Sequence, residues 1–235
     1  VTLTQKIFAG VENIPYYFHG NYTIGTSVVL TVEPGVVMKY NDYSRLKVNR
    51  GLIAEGGPTA DSTIIFTSIR DDSYGGDSNT DGNATTPGGS YQRTWDGINF
   101  DNQALDNLCR LEHCVIKYAG WYDTEAAITT ESASPLITYS TLSNNANGVR
   151  AEGASDPVIN YSDIYDNRYY GVNNVNKGFT IDATNNWWGS DNGPTHASNP
   201  TGDGDAVSDE VTFSPYRGGT LNPADDLDVS LFGRE

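Results

Sequence analysis

An all-β solenoid, a chain wound into stacked parallel coils, is the fold the sequence predicts. Three observations carry it. Helical periodicity is almost absent, and short strand-sized pieces alternate with Gly, Asn, Asp and Pro. The middle of the chain repeats at a spacing of about 22 residues. The apolar residues of each repeat fall at matching positions, as stacking on a common core requires.

A solenoid's ends expose strand edges and must be covered. The first stretch, about residues 1–21 with Phe8, Tyr16, Tyr17 and Phe18, reads as an N-terminal cap. Strand-like pieces follow at Leu30–Tyr40 and Ile64–Ser68. An acidic insert, about residues 71–94, then breaks the pattern. The repeats begin at Leu111–Ile116. They continue as Pro135-Leu-Ile-Thr-Tyr-Ser-Thr-Leu-Ser-Asn-Asn145 and Pro157-Val-Ile-Asn-Tyr-Ser-Asp-Ile-Tyr-Asp-Asn167, and start again at Phe179. Their alignment predicts two inward columns, Leu111/Ile137/Ile159/Ile181 and Ile116/Leu142/Ile164. Asn145 and Asn167 fall at a turn, where an Asn ladder bonds neighbouring coils and tolerates the left-handed backbone region. A β-propeller blade needs ~40–45 residues, so the period is too short for that competitor. Residues about 185–216, with Trp187 and Trp188, read as a C-terminal cap. Residues 1–216 thus form one domain, with 217–235 a tail or linker.

Composition sets the setting. The 235 residues carry 14 basic against 30 acidic side chains, a net charge of −16. That balance argues against nucleic acid as a partner, because phosphate binding needs clustered Lys and Arg. No apolar run approaches the ~18–20 residues of a membrane span, so no direct insertion is expected. With 11% aromatic residues, disorder is not expected. Two Cys and one Met, with many Thr, Asn, Gly and Tyr, suit an extracellular or cell-surface protein. Cys109 and Cys114 would lie ~16 Å apart in an extended chain, too far for a disulfide.

The chain resembles the right-handed parallel β-helix (pectin-lyase-like) proteins, most closely the secreted and cell-surface β-helix repeat proteins of bacteria and archaea. The likeness rests on Leu30–Tyr40, Ile64–Ser68, Trp95-Asp-Gly-Ile98, the repeats, Asn185-Asn-Trp-Trp-Gly189, Gly193-Pro194 and Val211–Tyr216. It implies a right-handed solenoid of about seven coils with capped ends. It does not imply one activity, since this fold hosts lyases, hydrolases, adhesins and passive scaffolds.

Three constellations are candidate sites. In the insert, Asp77-Ser-Asn79-Thr-Asp81-Gly82 places oxygens at alternate positions before a glycine, as a loop wrapping Ca²⁺ does. Gly88 stands where an EF-hand has its closing acid, so Asp71 and Asp72 are the expected further ligands and calcium the expected structural cofactor. Stacking Val149 on Ile128 sets Glu131 beside Glu152, with Arg150 in the neighbouring column. Two carboxylates ~5 Å apart suit a retaining glycosidase. Arg150 and Lys117 are the bases to weigh for a uronate lyase. The bland reading of this group is a solvated surface network. Third, Tyr118, Trp121, Tyr139, Tyr161 and Tyr165 offer flat faces for stacking on sugars, or for stabilising adjacent coils. The expected function is a calcium-stabilised extracellular module, a surface scaffold or binder of carbohydrate or another surface protein. It would act as a monomer or in end-to-end assembly. The alternative is a polysaccharide lyase or glycoside hydrolase.

Overall fold

Alternating side chains and turn residues at a fixed interval leave the chain little choice but to coil. The computed structural model describes residues 1–7, 14–82, 84–87, 94–176 and 178–220. Among the described residues each of the first six coils supplies three short strands. They are β1 (Thr2–Leu3), β2 (Tyr16–Phe18) and β3 (Tyr22–Ile24); β4 (Val29–Val32), β5 (Val37–Tyr40) and β6 (Leu46–Val48); and β7 (Gly51–Glu55), β8 (Ile64–Ser68) and β9 (Ile98–Phe100). Next come β10 (Cys109–Glu112), β11 (Cys114–Lys117) and β12 (Ile128–Glu131); β13 (Leu136–Thr138), β14 (Thr141–Ser143) and β15 (Asn147–Glu152); and β16 (Val158–Asn160), β17 (Asp163–Tyr165) and β18 (Tyr170–Asn174). The last are β19 (Ile181–Asp182) and β20 (Val211–Thr212). Among the described residues the sheets are an eight-stranded first sheet running β1 to β20, and six-stranded second and third sheets, β2 to β17 and β3 to β18. All of these pairings are parallel. The result is a parallel β-solenoid of about eight turns, one more than the seven or so expected, because β20 opens another turn.

The register follows the predicted columns. Ala54, Leu111, Ile137 and Ile159 are successive partners in the first sheet. Phe66, Ile116, Leu142 and Ile164 are partners in the second. Ile98, Ile128, Val149 and Val172 are partners in the third. All of them are fully buried, and each Ile, Leu, Val or Phe among them stabilises the coil by roughly 1.5–3 kcal/mol. The last step differs from the alignment. Val158 faces Asp182, so Ile181 is not the direct partner of Ile159, although both are buried. The bridged segment β19 is only two residues long there.

Corners are locked by two internal ladders. Between the first and second sheets, the Ser140 hydroxyl accepts the Cys114 N–H at 3.1 Å, Ser162 accepts Ser140, and the Asn186 carbonyl accepts Ser162. Between the second and third, the Asn145 carbonyl accepts the Ala119 N–H and Asn167 accepts Asn145. The expected Asn ladder is therefore present. It ends on a residue outside the repeat, Asp205, which accepts the Asn167 N–H at 3.0 Å and its side-chain amide at 2.7 Å.

Aromatic rings fill the first coils, with Phe18, Tyr40 and Trp95 stacked at 4.8 and 4.3 Å between centroids. At the other end Trp188 is fully buried. Phe8 and residues 221–235 lie outside the described residues. The segment before residue 21 contributes β1 and β2 to the first turn. Cys109 and Cys114 are both buried free thiols, as expected, and burial pushes Cys109 up to about 11. Among the described residues no helix is long and apolar enough to cross a membrane.

Candidate functional site

The corner joining the second and third sheets repeats a left-handed residue on successive coils: Tyr118 at φ 59°, Asn144 at φ 59° and Asp166 at φ 56°. Outside glycine that conformation costs roughly 1–2 kcal/mol. The Asn ladder on the next residue, buried just inside each turn, holds it. One step further on, Gly120 at φ 73° keeps the floor low. A Cβ there would stand 2.8 Å from the Glu125 Cβ and 2.9 Å from the Ala146 Cβ.

Over this corner lies a cleft of about 450 Å³. Tyr118, Asn144 and Asp166 contribute to its lining, with Trp121 and Arg168 beside them. The insert supplies part of the wall through Pro87 and Thr94. Thr94 is tied to the corner, donating its hydroxyl to the Gly120 carbonyl at 2.8 Å. The Arg168 guanidinium rests 5.0 Å from the Trp121 ring centre and 5.3 Å from that of Tyr169. Flat apolar faces, an amide, a carboxylate and a guanidinium thus share one concave surface. That mixture can stack on a pyranose ring and bond its hydroxyls.

The five aromatic residues picked from sequence do not form one set. Tyr118 and Trp121 line the cleft. Tyr165 packs on Trp187, 5.4 Å between centroids. Tyr139 and Tyr161 lie at the other corner, stacked with His113 at 5.2 and 5.4 Å. All three of that column have positive φ, 48–52°, so the stack steadies a strained turn. Arg168, Asp166, Asn144 and Thr94 were not singled out from sequence. Asn144 and Asp166 share the 22-residue offset of Asn145 and Asn167, a signal already present in the repeat.

Glu131 and Glu152 are direct partners between β12 and β15, as the stacking predicted, and Thr129 pairs with Arg150. Each carboxylate is occupied on its own strand neighbourhood. Glu131 accepts the Asn99 amide at 2.9 Å and Glu152 the Arg150 guanidinium at 2.7 Å. Neither glutamate lines the cleft. Lys117 sits 4.7 Å from the Tyr118 ring centre and 5.8 Å from that of Tyr74. Desolvation works against its charge, but Tyr118 and then Asp71 outweigh it, so its pKa lies above the ordinary value. A general base needs the opposite shift.

The insert folds back along the second sheet. The Lys39 side chain, fully buried, donates to the Gly76 carbonyl at 2.5 Å. Desolvation lowers its pKa, and the nearby Asp71, Asp72 and Asp77 partly restore it. Lys39 is thus a counter-charge for this acidic loop that the sequence did not reveal. Asp71, also buried, accepts the Thr67 hydroxyl at 2.6 Å and the Ser73 hydroxyl. Asp77 accepts the Asp81 and Gly82 N–H groups at 3.2 and 2.9 Å. Asp81 accepts the Asn79 amide and the Thr85 hydroxyl through one oxygen. Three buried oxygens remain without a hydrogen-bond partner: Asp72 Oδ1, Asn79 Oδ1 and Asp81 Oδ1. Hard oxygens left over in this way fit a cation. Among the described residues, though, no three His, Cys, Asp or Glu converge as a metal cluster. The fit is to a small donor set rather than to all five predicted ligands. Gly88, the position twelve of the loop, lies outside the described residues.

Fold and site together define a parallel β-solenoid carrying a corner cleft. Comparison with protein-family models, with curated proteins and with solved structures finds no match.

Proposed function

We propose that this protein is an extracellular or cell-surface solenoid module that binds carbohydrate in the cleft between its second and third sheets. One observation carries the reading: the aromatic faces of Tyr118 and Trp121 meet Asn144, Asp166 and Arg168 on one concave surface of a rigid corner. Rigid elements hold a binding surface at low entropic cost. The right-handed, pectin-lyase-like form of the solenoid belongs to the same proposal, on the sequence resemblance. So does calcium. Asn79 and Asp81, with Asp72, would hold the ion in the insert, and the ion would supply neutralising charge beyond that of Lys39. Its role is structural, steadying the segment that also provides Pro87 and Thr94.

The test is direct binding. A glycan array probed with the intact protein should give ligands that Trp121→Ala loses. An array with no ligand would defeat the reading. For the alternative, a polysaccharide lyase or glycoside hydrolase, the same substrates should be cleaved, and Glu131→Ala, Arg150→Ala or Glu152→Ala should abolish cleavage.

A further inference from the structure

The most informative group in the cleft is its cation. Arg168 is exposed, its backbone N–H is pinned to the Asn145 carbonyl at 2.9 Å, and its guanidinium lies against Trp121 and Tyr169. Among the described residues that guanidinium has neither a hydrogen bond nor an ion-pair partner. By contrast, Arg45, Arg70, Arg110, Arg150 and Arg217 each form an ion pair with a carboxylate. Arg168 therefore presents a planar set of donors, already oriented by the rings, to whatever occupies the cleft. Such a fork matches a carboxylate in two parallel bonds.

Two observations limit how much negative charge the ligand brings. Asp166 lines the same cleft, so a second anion close to the first meets a carboxylate. The chain as a whole carries −16, which repels a polyanion that comes within about a Debye length of its surface. Resting on the carbohydrate reading above, we infer that the cleft selects glycans bearing one acidic sugar in an otherwise neutral chain, with Arg168 taking the carboxylate. Asp166 then accepts from neutral hydroxyls, Asn144 accepts from them or donates to them, and Tyr118 provides the stacking face.

Calorimetric titration of the intact protein tests this with xylohexaose, singly glucuronosylated xylohexaose, cellohexaose and hexagalacturonate. The expected order is singly acidic chain first, by about tenfold over its neutral parent, as a charge-assisted bond gives. Hexagalacturonate should bind more weakly than the singly acidic chain. In Arg168→Gln the two xylohexaoses should bind alike, while Arg168→Lys should keep part of the preference. Melting curves confirm that both variants fold. Equal binding of the two xylohexaoses by the wild type would overturn the inference and leave the cleft reading in place. Tightest binding of hexagalacturonate, or a preference that survives Arg168→Gln, would overturn it too. No binding of any of the four would overturn the inference and the carbohydrate reading together.

Discussion

Replacing Asp205 with Asn removes a charge that the fold holds at a cost. The carboxylate closes the Asn145–Asn167 ladder, and one oxygen accepts both Asn167 donors. Desolvation raises its pKa to about 6, against the hydrogen bonds from Asn167, and the charge of Asp166 adds to the rise. An unfolded Asp titrates near ~3.9, and each unit of difference corresponds to ~1.4 kcal/mol. The native state therefore keeps a proton between roughly pH 4 and 6 that the unfolded chain has released. Stability from this group rises as pH falls through about 6 and levels off below about 4. Above that window the buried charge costs about 1–3 kcal/mol. Asp205→Asn keeps an acceptor for Asn167 and removes the charge. It should raise stability at pH 7.5 by about 1–2 kcal/mol, a few degrees in Tm. Its amide donors limit the gain. Urea melts of both proteins from pH 4 to 8 give the difference directly, so that other carboxylates cancel. The gap should be widest above pH 7 and close toward pH 4. A gap that is constant across the range, or that widens in acid, would refute the reasoning.

Other perturbations follow from the same structure. Ile159→Ala opens a cavity in the first-sheet column and should cost about 2–5 kcal/mol in a urea melt; a loss below 1 kcal/mol would mean the column is not close-packed. Lys39→Met removes the bond to the Gly76 carbonyl and the positive charge near Asp71, Asp72 and Asp77, which should cost about 1–3 kcal/mol and speed proteolytic cutting within the insert. Unchanged cutting kinetics would separate Lys39 from the insert's placement. Chelator should lower Tm, and Asn79→Ala combined with Asp81→Ala should abolish that response. A melting curve indifferent to added Ca²⁺ and to chelator would remove calcium from the account.

What could be read in advance was whatever repeats. Ile137, Ile159, Leu142 and Ile164 recur at one offset because every coil must point the same face inward. Asn145 and Asn167 recur because every coil must turn. The pairing of Glu131 with Glu152 followed from the same stacking. Features made by single, unrepeated contacts were hidden. Lys39 reaches Gly76 across 37 residues of sequence, and its own stretch reads simply as a strand. Asp205 joins the ladder 38 residues after Asn167, once Trp187, Trp188 and the following loop have broken the period. The aromatic set was split because composition marks rings without saying which corner they occupy. Tyr139 follows β13, at the first corner, whereas Tyr118 follows β11, at the second. The cleft itself needed the insert to fold back over that second corner, and no periodic signal reports where an insert lands.

The central claim is that the second corner, and not the first, is the binding surface. A glycan array probed in parallel with wild-type protein, Trp121→Ala and Tyr139→Ala tests it most directly. The account predicts ligands for the wild type that Tyr139→Ala retains and Trp121→Ala loses by at least about tenfold in follow-up titration. Binding kept in Trp121→Ala and lost in Tyr139→Ala would contradict it.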